Sequence, residues 1–210
     1  MSKGFFNTYN VSIRLRDHAA VYIAKCGCST LKNIALYLCC GKWAFNGVAH
    51  LIDSTDVYVP TGSACSGRMF AVWRDPIDRI VSFHYNKVDV NGTGHRDWQY
   101  SDKFHRGATV EDTMAYVRSE LGIQNVFEQD MHIRRQSSFY GIGDVDDIVP
   151  IQHLDAYLSA LGLPIPPKHN NASSFKDASV FTPYEDEIRS LYADDYALMD
   201  SGKVWKNINL

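Results

Sequence analysis

Lys25-Cys26-Gly27-Cys28-Ser29-Thr30 follows a short apolar run, Ala19–Ala24, and precedes an apolar-periodic one, Leu31–Leu38. The pattern predicts a strand, a tight glycine-containing turn and the start of a helix. The first N–H groups of a helix have no internal partner, and the helix dipole adds partial positive charge there. A phosphate or sulfate suits such a place. Lys25 adds a full charge at its mouth, and Ser29 and Thr30 add hydroxyl donors. An ordinary strand-to-helix turn with a surface lysine has the same local pattern, so this stretch alone leaves both readings open. It is not a Walker A loop, which reads G-x-x-x-x-G-K-[ST]. Here the lysine precedes the only glycine, and no Ser or Thr follows a Gly-Lys pair to hold magnesium.

A second stretch, Met69-Phe70-Ala71-Val72-Trp73-Arg74-Asp75-Pro76, has the same design. Met69–Trp73 reads as a buried strand, with Asp75 as N-cap and Pro76 as the first helical residue. Ile77, Ile80, Val81 and Phe83 then continue with helical spacing. Arg74 is therefore expected at the carboxyl end of a strand, where open α/β sheets bind ligands. Asp78 and Ser82 lie one turn apart, so Ser82 can face the same crevice. The plainer reading is a capped helix with an Asp75–Arg79 pair at i, i+4, worth about 0.3–0.5 kcal/mol. Together the two stretches suit a ligand with two separated anionic groups, such as 3′-phosphoadenosine 5′-phosphosulfate.

These residues carry a family resemblance. Lys25–Thr30 resembles the 5′-phosphosulfate loop of carbohydrate sulfotransferases of the Golgi type 2 kind, in which K-C-G-C-[ST] is a familiar form. Arg74–Lys87 is similar to that family's 3′-phosphate segment, usually close to R-D-P-F-E-R-L-V-S-A-Y-R-D-K. His132-Ile133-Arg134-Arg135-Gln136 is similar to its H-W-R-P-Q, without the Trp and the Pro. Val149–Asp155 stands where the family has a later strand and an E-x-L turn. Leu191-Tyr192-Ala193-Asp194-Asp195-Tyr196 resembles its closing L-Y-x-x-D-F helix. The likeness runs from about residue 19 to residue 199. It implies an α/β, three-layer, P-loop-like fold with a central parallel sheet flanked by helices.

With 210 residues, 45% hydrophobic and 21% charged, the chain has the composition of an ordinary globular protein, and residues 1–210 read as one domain. A formal charge of −3 exerts no global pull toward nucleic acid or acidic membranes, so anion binding has to be local. No apolar run approaches the roughly 20 residues of a membrane span, and Met1–Asn10 lacks a signal-peptide core. The family includes membrane-associated Golgi members; this chain is expected to have no anchor. The five cysteines, Cys26, Cys28, Cys39, Cys40 and Cys65, fall in the first third of the chain. Their odd number and clustering do not read as a disulfide framework, and C-x-C plus an adjacent pair does not supply a zinc set. A bacterial cytoplasmic enzyme without a metal is the expectation.

The periodicity predicts strands at Ala19–Ala24, Met69–Trp73 and Asp147–Ile151, with strand character near Val57–Val59. It predicts helices at Thr30–Cys40, Pro76–Lys87, Val110–Glu120, Leu154–Leu161 and Pro183–Met199, and a loop over Leu163–Ser174. Strands alternating with helices predict a parallel sheet. The polar stretch Val88–Gly107 carries His95, Arg96, Lys103, His105 and Arg106 beside Trp98 and Tyr100. Such a segment is either a binding loop, with ring faces for sugars and cations for anions, or a solvated insertion.

The resemblance implies sulfuryl transfer from 3′-phosphoadenosine 5′-phosphosulfate to a hydroxyl, on a carbohydrate or glycolipid acceptor. Lys25 is the candidate for the leaving-group side. Cys26, Gly27, Cys28, Ser29, Thr30 and Leu31 are candidates for cradling the 5′ end, and Arg74 and Ser82 for the 3′-phosphate. His132 is the first candidate base, with His50, His84, Glu128 and Asp130 behind it. His95, Arg96, Trp98 and Arg134 are candidates for the acceptor. A small P-loop kinase and a nucleotide- or glycan-binding module without turnover are the competing readings. The sequence does not name the acceptor or the oligomeric state.

Overall fold

The computed structural model describes residues 10–43, 57–61, 65–95, 97–167 and 177–205. Arg96, His50 and the end of the expected loop at 168–174 lie outside the described residues. A five-stranded sheet, in the order β3-β1-β2-β4-β5, forms the centre and is flanked by helices. Its strands are β1 (Val11–Leu15), β2 (His18–Val21), β3 (Tyr58–Pro60), β4 (Met69–Trp73) and β5 (Asp147–Pro150). β2, β4 and β5 run parallel, with Ala20 opposite Phe70 and Ala71 opposite Ile148. β1 is antiparallel to both β2 and β3. The expected parallel sheet is thus its central and far side only, and the N-terminal side is antiparallel.

β1 had no counterpart among the expected strands. Its sequence, Val-Ser-Ile-Arg-Leu, alternates, but the two residues that join it to β2 are Arg16 and Asp17, not the Asn-Gly or Asp-Gly pair that signals a hairpin. Arg16 takes a positive φ of 58° to close the turn, a conformation usually left to glycine or asparagine. Val11, Ile13 and Leu15 are buried against the rest of the sheet.

The principal helices are α1 (Cys28–Cys40), α2 (Pro76–Phe83), α3 (Val110–Leu121), α4 (Leu154–Ala160), α5 (Glu185–Leu191) and α6 (Ala193–Ala197). α3 starts in a reciprocal capping box between Thr109 and Asp112. α2 starts as expected, with the Asp75 carboxylate accepting from the Ile77 N–H and Pro76 at N1. It then continues as a five-residue π-helix, His84–Val88, so the predicted Pro76–Lys87 span is helical throughout but not regular. The predicted closing helix, Pro183–Met199, is broken. A 3-10 turn over Ala178–Tyr184 leads into α5, and Tyr192 interrupts before α6.

Two apolar clusters are buried. One packs on the sheet and includes Ile13, Phe70, Val149 and Leu158. The other lies among α2, α3 and α5 and includes Phe83, Met114, Val117, Phe181 and Ile188. α2 therefore has a polar face toward the sheet ends and an apolar face toward the second cluster.

Arg79 decides how α2 sits. The Asp75–Arg79 side-chain pair that the spacing allows is not formed. Arg79 instead turns inward, 1% exposed. Its Nε donates to the Ala24 carbonyl at 3.1 Å, and its two terminal nitrogens to the Arg134 and Met131 carbonyls at 2.6 and 3.0 Å. Each buried carbonyl left without a donor costs about 1–3 kcal/mol. Arg79→Met is therefore expected to destabilise the protein by about 3 kcal/mol or more, seen as a fall in the urea midpoint. A loss below about 1 kcal/mol would mean that water replaces the guanidinium without cost.

Candidate active site

The parallel order of β2 and β4 brings their carboxyl ends side by side, and with them the two anion-binding stretches. After β2 the chain enters the Lys25 turn. Lys25 has φ 67° and Gly27 φ 74°, so two residues out of three are left-handed. For a lysine that conformation is strained, by roughly 1–3 kcal/mol, and persists only where the surroundings hold it. Arginines do so from both sides. Arg79 holds the Ala24 carbonyl, and the Arg74 guanidinium donates to the Lys25 carbonyl at 3.0 Å. At Gly27 a Cβ would also meet Leu154 Cδ2 at 3.1 Å, a tight contact that adds to the cost of a side chain at its left-handed φ.

Gly27 is the N-cap of α1, and the first i−4 hydrogen bond runs from the Leu31 N–H to the Gly27 carbonyl. The Leu31 amide is thereby occupied, and Leu31 is buried in the core. The Cys26 N–H bonds to the Ile23 carbonyl, and its thiol points inward to Gln136 Oε1 at 3.1 Å. Cys26 and Leu31 therefore do not belong to the cradle expected from sequence. Gly27, Cys28, Ser29 and Thr30 line a cleft of about 940 Å³, together with Lys25, Arg74, Asp78 and Ser82. The residues of two distant stretches thus share one wall.

His132 also lines this cleft. Its Nδ1 lies 2.9 Å from Asp130 Oδ1 and 2.9 Å from the Tyr100 hydroxyl. Tyr100 and Tyr116 both donate to Asp130 Oδ2, at 2.5 and 3.1 Å. Asp130 also accepts from the His132 backbone N–H. Burial alone would raise the Asp130 pKa, but these donors, His132 first, hold it well below the usual carboxylate range. An ionised Asp130 fixes the Nδ1–H tautomer and leaves Nε2 with a lone pair. Burial depresses the His132 pKa; Asp130 opposes this, and the nearby Lys87 and Lys25 charges reinforce it.

The other candidates divide. Trp98 stands on the cleft rim, 75% exposed. Lys87 reaches across to Asp97 at 2.9 Å and ties that rim to the π-helix. His95 is exposed and outside the cleft, with its ring near Arg106. Arg134 is buried, its terminal nitrogens on the Val126 carbonyl and Asn10 Oδ1 and its face 3.7 Å from the Phe139 ring centroid. It is a clamp between chain segments. His84 is buried against Thr113 Oγ1, away from the cleft. Glu128 is exposed and bonds Asn125. Asp130 belongs to the His132 pair. Sequence reading missed Tyr22, Lys32 and Asn86, all on the cleft wall. Asp78, Ser82 and Asn86 recur at four-residue intervals along α2 and its π-helical extension, a signal that the sequence did carry.

The protein belongs to a sulfotransferase family, whose family model matches residues 17–141. That stretch spans the Lys25 turn, the Arg74 segment and the His132 pair. No curated protein and no solved structure matches the chain. Among the described residues no cluster of His, Cys, Asp and Glu is arranged to hold a metal ion, and no helix is long and apolar enough to cross a membrane.

The His132 environment sets a pH expectation. With its pKa lowered from the ordinary 6.5, the imidazole is mainly neutral at pH 7. An NMR titration should give a midpoint below 6.5, and Asp130→Asn should move it lower still, because the carboxylate is what favours the cation. A wild-type midpoint above 7 would mean that the ion pair outweighs burial.

Proposed function

We propose that this protein transfers the sulfuryl group of 3′-phosphoadenosine 5′-phosphosulfate to a hydroxyl of a carbohydrate or glycolipid acceptor. One observation carries the reading: Lys25, the α1 N-terminus, Arg74, Ser82 and His132 all line a single cleft beside the ends of β2 and β4. The family membership supports the reaction class. The 5′-phosphosulfate end would lie on Gly27, Cys28, Ser29 and Thr30, where the opening helix amides and its dipole favour an anion. The 3′-phosphate would meet Arg74 and Ser82.

Transfer is an in-line displacement at sulfur. His132 Nε2 takes the proton of the acceptor hydroxyl as its oxygen attacks sulfur. The bond between sulfur and the bridging oxygen of the donor breaks, and the electron pair stays on that oxygen. Lys25 donates to it as its charge grows. The products are the sulfate ester and 3′-phosphoadenosine 5′-phosphate. Asp130 and Tyr100 hold the imidazole in the tautomer and orientation the step needs. Such preorganisation is the main means of catalysis here, since the reaction needs positioning and charge stabilisation more than new covalent chemistry.

The reading extends to the whole chain as one domain, 1–210, of P-loop-like architecture. A cytoplasmic location belongs to the same reading, because an odd number of clustered cysteines does not read as a disulfide framework.

Calorimetric titration with 3′-phosphoadenosine 5′-phosphate tests the donor site. Binding without added metal is expected, at least about tenfold tighter than in Arg74→Ala, the loss of one charge-assisted contact. ATP should bind much more weakly. His132→Ala should keep that affinity and lower turnover by about 10²–10⁴-fold. Absence of binding by the wild type would refute the donor assignment and return the kinase and binding-module readings.

A further inference from the structure

A second cavity, of about 750 Å³, adjoins the cleft. The two share Tyr22, Gln99, Met131 and His132, so they meet at the imidazole. In-line displacement requires the nucleophile to reach sulfur from the side opposite the leaving group. If the donor fills the cleft, which is the reading proposed above and on which this inference rests, the acceptor hydroxyl has to arrive from the second cavity. The volume is in the range that encloses a small organic ligand or a few sugar rings.

The walls say what kind of acceptor fits. Tyr22, Tyr116 and Phe127 offer ring surfaces, and Gln99 and Asn125 offer amides. Among the described residues the charged ones are Glu120, Glu128 and Asp130 against Lys103 and Arg134, three carboxylates and two cations. Recognition of a uronate or sulfate needs converging cations with donors to give. Arg134 does not meet that need: it is 6% exposed, with its guanidinium face on the Phe139 ring and its terminal nitrogens turned to Val126 and Asn10. Lys103 is exposed, as is Glu128. Lys25, Lys32 and Lys87 line the donor cleft and not this cavity. A sugar ring, by contrast, presents an apolar face to an aromatic side chain and hydroxyls to amides and carboxylates.

We propose that the second cavity is the acceptor site and that it takes an uncharged polyhydroxylated ring, a neutral sugar residue, in preference to a uronate- or sulfate-bearing chain. Its carboxylates turn anionic acceptors away while its rings hold neutral ones.

The test uses the full-length protein and two matched probes. One is the uncharged tetramer of β-linked N-acetylglucosamine. The other is the hyaluronan tetrasaccharide, in which alternate residues are glucuronate. Binding of 3′-phosphoadenosine 5′-phosphate is measured first, then transfer of labelled sulfuryl group to each probe. The neutral tetramer is expected to be the better acceptor in kcat/KM by about tenfold or more. Phe127→Ala should raise KM for it without changing the affinity for the nucleotide, and Glu128→Lys should narrow the gap between the probes. A preference for the glucuronate tetramer, or transfer to neither while the nucleotide binds, would overturn the acceptor inference and leave the donor site standing. Failure of the nucleotide to bind would remove the donor reading and this one with it.

Discussion

The buried guanidinium of Arg79 is the constraint on which the site depends. Taking a cation out of water costs several kcal/mol even after relaxation. Here three carbonyls offset that cost, and they come from the two loops that matter. One precedes Lys25, and the other two flank His132 and Ile133. Since a guanidinium is planar and rigid, its donors fix those loops relative to α2 in distance and direction. The strained Lys25 backbone follows from this. Held at Ala24 by Arg79 and at its own carbonyl by Arg74, the lysine has no room to relax toward an ordinary φ. Lysine could not replace Arg79, because an ammonium lacks the fork that reaches three acceptors in a plane.

A second buried junction ties the C-terminal segment to the same place. The Gln136 amide accepts from the Arg74 N–H and donates to the Arg74 carbonyl, at 3.0 and 2.7 Å. The Asp195 carboxylate, fully buried, accepts from the Gln136 and Ser137 N–H groups, both at 2.8 Å. Tyr192 donates to the Ile133 carbonyl and Tyr196 to Asp75. The same Gln136 oxygen takes the Cys26 thiol hydrogen. Burial pushes the Cys26 thiol up to about 11, so it stays protonated and serves as a donor. Of the two cysteines around Gly27, one therefore belongs to the interior and the other to the cleft. Their i, i+2 spacing across a left-handed glycine is what separates them.

How much of this could be read from sequence follows from which interactions are local. β4, the Asp75–Pro76 start of α2, α3 and the Lys25 turn were legible, because each is written in periodicity, caps and glycine within a few residues. The residues of the cleft were legible as two separate stretches, and the rule that ligands sit at strand ends was enough to bring them together. β1 escaped because its turn uses Arg16 and Asp17. Arg79 escaped because i, i+4 spacing names a neighbour and says nothing of three carbonyls, each more than 50 residues away. Arg134 was taken for an acceptor contact for the same reason; only the tertiary structure reveals Asn10 and Phe139 beside it. The closing helix was read as continuous because Tyr192 is no helix breaker by type. Its hydroxyl is anchored at Ile133, and the backbone bends there to bring Asp195 under Gln136.

The charges around His132 have a mechanical consequence. A net formal charge of −3 means that the protein as a whole repels anions slightly. Lysines 25, 32 and 87 and Arg74 line one cleft beside Asp78, Asp97 and Asp155, with Lys32 buried over the Tyr22 ring at 4.7 Å. Field from Lys87 and Lys25 reaches His132, which burial already favours in its neutral form. A base held neutral beside cations can accept a proton only while something compensates the charge it gains. Asp130 is that group: ionised, carrying two tyrosine hydroxyls, and bonded to Nδ1. On the proposed path the imidazolium forms between an anionic sulfuryl group on one side and Asp130 on the other. The two carboxylates that line the second cavity beyond it, Glu120 and Glu128, add to that negative surrounding. Burial and the two lysines thus keep the base neutral at rest, and Asp130, which opposes them, makes its protonation tolerable in the step itself.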